Sequence, residues 1–273
     1  MNSPLITAEQ LKNQIGKGVV IIDCRFNLMD KDLGYQQYRV GHVPGAYYFH
    51  LERDLSAPIS RHGGRHPLPA TDILADKLRR AGINQQTLVV VYDDSRMAFA
   101  ARAWWLLRHL GHEHVAILDG GYQAWCALGG MQDRREPPAR WGTFRVRAVR
   151  EDTVDYADIL ANPDALTLID AREPRRYAGL EEPIDPVAGH IPGAVNFPWQ
   201  DATDEQGFFK PAEWHEARWQ SLPDKRNLAV YCGSGVTACV NLLSLYISGI
   251  EARLYPGSWS DWCSYQTTQI SNI

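Results

Sequence analysis

Long apolar runs are missing from this chain. Nowhere in its 273 residues does a stretch approach the ~20 consecutive apolar residues of a membrane-spanning helix. The opening MNSPLITAEQLKNQIG has no basic stretch leading into an apolar one, so no export leader is expected and the cytoplasm is the expected location. Cysteine is scarce as well: Cys24, Cys126, Cys232, Cys239 and Cys263 are odd in number and form no CxxC pair, which argues against a disulfide framework or a four-thiolate zinc site. Excess positive charge is also absent. The 28 Lys and Arg against 32 Asp and Glu leave a net charge of -4, with no basic stripe to displace counterions from a nucleic-acid backbone, so neither nucleic acid nor a membrane is an expected partner. His109, His112 and His114 cluster beside Gly111 without a supporting thiolate or carboxylate pair, and read as solvated or helix-capping residues rather than metal ligands.

What is present is the composition of an ordinary globular protein, 45% hydrophobic and 22% charged. The length exceeds one typical domain, and the chain repeats itself once. Val20-Ile21-Ile22-Asp23-Cys24-Arg25 returns as Leu168-Ile169-Asp170-Ala171-Arg172. Gly41-His42-Val43-Pro44-Gly45-Ala46 returns as Gly189-His190-Ile191-Pro192-Gly193-Ala194, Leu88–Tyr92 as Leu228–Tyr231, and Trp125 as Trp262. Ordered matches at so long and nearly constant an offset mean a duplicated domain. Residues 1–132 are expected to form the first copy and 152–273 the second, with a linker over 133–151 that begins in the polar, proline-paired stretch Met131–Arg140.

Within each copy, short apolar runs such as Gly18–Ile22 and Thr87–Tyr92 alternate with helical patterns such as Phe99–Leu110. Continuous apolar strands are buried on both faces, so each copy is expected to be α/β, a mostly parallel sheet flanked by helices. Ligands in such sheets sit outside the carboxyl ends of the strands, which directs attention to the residues after Tyr92 and Tyr231. After Tyr231 comes Cys232-Gly233-Ser234-Gly235-Val236-Thr237-Ala238, leading into a helix over Ala238–Ile247. Glycines at 233 and 235 let successive amides turn inward and form an anion-holding nest at a helix N-terminus, an environment that lowers a thiol pKa from about 8.5 and makes a nucleophile. The reading expects an accessible thiol and fails if the group is sealed from solvent with the loop's peptide hydrogens pointing elsewhere. After Tyr92 the chain has Asp93-Asp94-Ser95-Arg96 and no thiol, so the first copy should be chemically silent. Cys24, Cys126, Cys239 and Cys263 are expected to be small buried hydrophobes.

The two GH(V/I)PGA segments, Arg102-Ala103-Trp104-Trp105, Asp119-Gly120-Gly121, Tyr255-Pro256-Gly257-Ser258-Trp259-Ser260-Asp261-Trp262 and above all Cys232–Ala238 resemble the tandem-domain rhodanese family of thiosulfate and 3-mercaptopyruvate sulfurtransferases. The resemblance implies two tandem rhodanese-like domains and no cofactor. It implies sulfur transfer from a small-molecule donor, 3-mercaptopyruvate or thiosulfate, to an acceptor such as cyanide or a thiol, including a thiol on a protein, through a persulfide on Cys232. Gly233, Ser234, Gly235, Val236 and Thr237 would surround the sulfur. The uncharged Gly233-Ser234 pair is similar to the mercaptopyruvate-using branch. Of the two arginines which that branch commonly carries ahead of the second GHIPGA, only Arg176 has a counterpart; the other position falls within Glu182-Pro183-Ile184-Asp185-Pro186. Arg176 is therefore the expected grip on the donor's anionic group. Glu52, His66 and Ser234 match a proton relay of some relatives, although Arg61–His66 can equally be a polar loop. Asp170 with Arg172, His42 and His190 recur in both copies or have counterparts there, and are expected to serve the fold.

Two other classes compete. A cysteine phosphatase uses a thiolate in a similar nest but needs an arginine at position 238, which is Ala. A non-catalytic persulfide carrier would bind protein partners, with Trp104, Trp105, Trp259 and Trp262 as a docking face unless they are core residues.

Overall fold

A computed structural model describes residues 3–147, 149–161, 165–222, 225–265 and 270. The chain folds as two compact units, and neither is contiguous: the first comprises 1–57, 69–150 and 203–209, the second 58–68, 151–202 and 210–273. Their main division falls between Arg150 and Glu151, at the end of the expected linker. Two segments cross it: 58–68 joins the second unit and 203–209 the first.

The first unit runs β1 (Leu5–Ile6), α1 (Ala8–Gln14), β2 (Val20–Asp23), α2 (Leu33–Val40), β3 (Tyr47–Tyr48), α3 (Leu51–Asp54), α4 (Thr71–Arg80), β4 (Val89–Tyr92), α5 (Ala100–His109), β5 (Val115–Leu118) and α6 (Gly121–Ala127). Its strands form a parallel sheet in the order β1-β5-β4-β2-β3. In the second unit α7 (Tyr156–Ala161), β6 (Thr167–Asp170), α8 (Pro174–Tyr177), β7 (Val195–Asn196), a 3-10 turn over Trp199–Ala202, α9 (Ala212–Trp219), β8 (Leu228–Tyr231), α10 (Ala238–Ile247), β9 (Ala252–Leu254) and α11 (Ser258–Trp262) follow. Here the order is β7-β6-β8-β9, again parallel, and the place of β1 is taken by a single bridge between Thr153 and Leu254. Every residue of β4 and β8 is buried, as expected of central strands covered on both faces.

The repeated motifs have one job, done twice. Arg25 grips Asp23 through Nε (3.0 and 3.1 Å) and Nη2 (2.6 Å) and donates to Gly41 O at 2.8 Å; Arg172 does the same to Asp170 and to Gly189 O at 2.7 Å. Each pair thus pins the end of the second or sixth strand to the start of its GH(V/I)PGA turn. His42 and His190 stack on Tyr38 and Tyr177 and face those residues' carbonyls at 2.8 Å. Removing one member of such a buried pair strands the other charge and costs roughly 3–5 kcal/mol.

Trp104, Trp105, Trp259 and Trp262 are all buried, which takes away the docking face that the carrier reading required. Of the cysteines expected in the core, Cys24 and Cys239 are there, whereas Cys263 is only partly covered and Cys126 is exposed. Cys126 follows Trp125 on α6, so that when the indole faces the core the neighbouring thiol turns outward to Gln132 Nε2 at 3.5 Å. Among the described residues no group of three or more His, Cys, Asp or Glu side chains could hold a metal, and no helix is long and apolar enough to cross a membrane.

One buried histidine gives this fold a pH dependence. His215 Nδ1 meets Ser244 Oγ at 2.6 Å, and desolvation, aided by the charge of Arg218, lowers its pKa to about 4. The unfolded chain, with a value near 6.5, therefore takes up the proton first. The stabilising contribution is complete above about pH 6.5 and declines as pH falls toward 4, by roughly 2 kcal/mol at about pH 5. Urea unfolding of wild type and His215→Gln at both ends of that range should show the variant losing less stability on acidification by about that amount.

Candidate active site

Cys232 follows the last residue of β8, and the loop after it is held open from behind. Trp259 N donates to Cys232 O at 3.0 Å and Ser260 N to Gly233 O at 2.9 Å, so the first turn of α11 draws both carbonyls outward. The Cys232 amide goes to Ser258 Oγ at 3.1 Å. Gly235 has φ +73°, and a Cβ there would stand 2.3 Å from Pro256 O, so only glycine lets the loop pass that carbonyl. Val236 O and Thr237 O enter the ladder of α10, while the amides of Val236, Thr237 and Ala238 have no acceptor among the described residues. Carbonyls outward and amides unclaimed at a helix N-terminus suit an anion at the loop's centre.

The first unit supplies an internal comparison. Asp93 stands where Cys232 stands, and Tyr122 N donates to Asp93 O at 2.8 Å as Trp259 N does to Cys232 O. The Asp93 carboxylate folds back into its own loop and accepts from the amides of Ser95 (2.8 Å), Met97 (3.1 Å), Phe99 (2.8 Å) and Ala100 (2.8 Å). Burial raises its pKa above the ordinary carboxylate value, and those amides counter the rise. To reach this geometry Arg96 and Met97 adopt φ of +58° and +67°, strain that side chains other than glycine rarely bear. This loop is thus an anion site filled by its own carboxylate.

Around Cys232 the second unit assembles charges that no single sequence motif announces. Arg176 donates through Nε and Nη2 to Glu182 at 3.2 and 2.6 Å and through Nη2 to Asp185 at 3.3 Å. Glu182 also takes Arg172 Nη1 at 3.2 Å, and Asp185 takes Arg65 Nη1. Arg65 arrives on the 58–68 segment, which is fastened to this unit by Gly63 N to Asp261 Oδ1 (2.6 Å), Arg65 N to Ser260 Oγ (3.1 Å) and His62 Nδ1 against Ser264 Oγ (2.7 Å). Gly64, at φ +79°, comes so close to Gly257 O that a Cβ would lie 2.4 Å from it. The guanidiniums of Arg65 and Arg176 converge above Gly233: a Cβ there would be 3.1 Å from Arg65 Nη2 and 3.5 and 3.6 Å from Arg176 Nη2 and Nη1. Desolvation lowers the Arg65 pKa, a charge on Cys232 opposes that, and Arg176 adds to it.

The residues singled out from sequence are therefore placed as follows. Cys232, Gly233, Ser234, Gly235, Val236 and Thr237 form one loop with Arg176 above it, and His66 Nδ1 meets Ser234 Oγ at 2.7 Å. Glu52 belongs to the other unit, on α3, with its carboxylate 2.8 Å from Lys31 Nζ. An open thiol is expected from sequence, and Cys232 is instead 1% exposed, with two guanidiniums over the glycine beside it. Sequence reasoning missed Arg65, Glu182, Asp185, Ser258 and Ser260. Ser258 carried a readable signal, since it occupies the repeat position of Gly121 and shares its positive φ (56° and 58°), a strain offset by its bonds to Cys232 N and Tyr255 O.

The chain matches the family described as rhodanese-like domain twice, over residues 7–128 and 153–265. It is 45% identical over 271 residues to a probable 3-mercaptopyruvate sulfurtransferase of Pseudomonas aeruginosa, covering 96% of this chain and 95% of the relative. It is 39% identical over 275 residues to the putative thiosulfate sulfurtransferase SseB of Mycobacterium tuberculosis, covering 97% and 96%. Among solved structures, 3-mercaptopyruvate sulfurtransferase from Leishmania major superposes with a TM-score of 0.85 at 29% identity, over 94% of this chain and 73% of that one.

Asp93→Asn tests the filled loop. An amide oxygen accepts from only part of the four N–H groups and its NH2 confronts the rest, so denaturant unfolding should show a loss of roughly 1–3 kcal/mol.

Proposed function

The chain belongs to the rhodanese family, and from that premise we propose that it is a sulfurtransferase whose nucleophile is Cys232. The observation that carries the reading is the loop itself: a cysteine at the end of a central strand, carbonyls pulled outward by Trp259 N and Ser260 N, and unclaimed amides at the start of α10. The repeat supports it, because the same position in the first unit holds a carboxylate among loop amides.

In the first half-reaction the Cys232 thiolate attacks the donor's sulfur. With 3-mercaptopyruvate the carbon–sulfur bond breaks, its electron pair stays on carbon, and the thiol proton ends there, giving pyruvate and Cys232–S–S⁻. With thiosulfate the sulfur–sulfur bond breaks and sulfite leaves. In the second half-reaction cyanide or a thiol takes the outer sulfur and the thiolate returns. One set of amides serves both halves, stabilising the thiolate and then the terminal persulfide anion. The pair of Ser234 and His66 is suited to pass the donor's proton, and Arg176 to hold its anionic group. With no charged side chain in the loop itself, the cations stand to one side of the sulfur, an arrangement that suits a donor whose carboxylate is separated from its thiol and favours 3-mercaptopyruvate over thiosulfate. The acceptor is cyanide or a thiol, including a thiol on a protein; a phosphatase is disfavoured because position 238 offers only a buried methyl group.

Cys232→Ser should reduce transfer from either donor to cyanide to below about a thousandth of wild type, with an unchanged unfolding midpoint, because the hydroxyl is similar in volume and far less acidic. Wild-type turnover in that variant refutes the nucleophile. A sulfur carrier would instead load one sulfur per chain in the wild type and then show no turnover.

A further inference from the structure

The first unit holds a cavity that sulfur transfer does not use. Its volume is about 490 Å³, the size of a small-molecule site, and every residue lining it belongs to 1–57 or 69–150. Tyrosines make much of its wall, Tyr35 and Tyr38 from α2 and Tyr47 and Tyr48 from β3. The rings of Tyr35, Tyr38 and Tyr48 pack against one another with centroids 5.3 to 6.1 Å apart. Two phenols reach across to the linker: Tyr35 Oη donates to Glu136 Oε1 at 2.5 Å and Tyr47 Oη to Pro138 O at 2.9 Å. Farther along, Arg140 N donates to Arg80 O (2.9 Å) and Gly142 N to Arg79 O (2.7 Å). Bound at both ends, the stretch from Glu136 to Ala139 is a fixed wall of the cavity rather than a loose connection.

Charge narrows the choice of ligand. Arg53, Lys77 and Arg80 line the cavity together with two carboxylates, Asp54 and Glu136. Both carboxylates are engaged, Asp54 by Lys77 Nζ and Glu136 by the Tyr35 hydroxyl. Desolvation raises the pKa of Tyr38, Tyr47 and Tyr48, so these phenols add no charge. His50 adds none either: its Nδ1 accepts from the amides of Glu52 (3.1 Å) and Arg53 (3.3 Å), and desolvation lowers its pKa. Arg53 and Arg80 remain, paired only with carboxylates that do not line the cavity, Asp32 at 3.5 Å and Asp76 at 2.8 Å. The two arginine side chains are 63% and 61% accessible, and ion pairs so exposed contribute little and exchange readily for a better anion.

We propose that this cavity binds a small nucleotide, a planar aromatic base carrying a phosphate, with the base against the tyrosine rings and the phosphate on Arg53 and Arg80. Tyrosine faces take a base through its π-surface. Two guanidiniums from different helices, with a lysine one turn before Arg80, offer more N–H donors than one carboxylate accepts, and the oxygens of a phosphate dianion match that number. A cationic ligand would meet the excess positive charge, and a polymer would exceed the volume. Because one wall is the linker, the bound nucleotide would fasten that segment to the first unit and stabilise the folded state by mass action. The site is independent of the chemistry at Cys232 and stands or falls apart from it.

Equilibrium dialysis of the full chain tests this with adenosine monophosphate as the probe. One site per chain is expected, with adenosine and inorganic phosphate each binding about tenfold or more weakly, since each lacks one of the two recognised parts. The double substitution Arg53→Gln, Arg80→Gln should weaken the nucleotide by about tenfold or more and leave adenosine unchanged, with an unaltered unfolding midpoint showing that the variant folds. Pyruvate should not displace the nucleotide. Three results overturn the proposal: no retention of the nucleotide at about millimolar concentration, adenosine held as tightly as the nucleotide, or nucleotide binding that pyruvate displaces and the double substitution leaves intact. The last would put the phosphate on the cations of the second unit.

Discussion

The charges around Cys232 lean on a buried aspartate–arginine pair at the end of a strand. Asp170 and Arg172 join the end of β6 to the turn at Gly189, and the free side of the same guanidinium starts a row of charges through Glu182, Arg176 and Asp185 to Arg65. Each member of that row lies against neighbours of opposite sign, so five charged side chains sit together without an isolated charge. In the first unit the corresponding Arg25 ends against the ring of Tyr122, 4.1 Å from its centroid, where Arg172 meets Trp259 at 4.7 Å. The shared pair builds the fold, and the row built onto it in the second unit builds the site.

The two copies also show how one loop geometry is put to different ends. In both, the residue after the central strand has its carbonyl bound by the amide of the last helix, Tyr122 N or Trp259 N, which commits the loop's donors to the other side. The first copy satisfies those donors internally with Asp93, at the cost of two side chains in left-handed conformations. The second has glycine at the strained position, and the amides of Val236, Thr237 and Ala238 have no acceptor among the described residues. The two loops thus differ in that the first holds the Asp93 carboxylate among its amides and the second holds a thiol at the same position.

Much of this was legible from residues alone because it depends on local pattern. β4, β8, α5 and α10 lie where continuous apolar runs and helical spacing placed them, since a strand covered on both faces leaves no choice of side chain. The Cys232 loop was legible for a similar reason: glycines between a strand and a helix admit few backbone paths. The exposure of Cys126 was not legible, because a cysteine looks alike in a core and at its rim, and only the rotation of α6 with Trp125 decides between them.

The sequence by itself determined the duplication, the parallel α/β architecture of each copy, and which copy bears the thiol, because each of these follows from order and periodicity along the chain. The tertiary structure alone decided what surrounds that thiol. Arg61–His66 has no periodicity and could as well have been a polar loop; it becomes part of the second unit only when Gly64 passes Gly257 O and His66 meets Ser234. The reason is physical: a charge is placed by its partners, and Asp185 selects Arg65 across a separation that no local pattern spans.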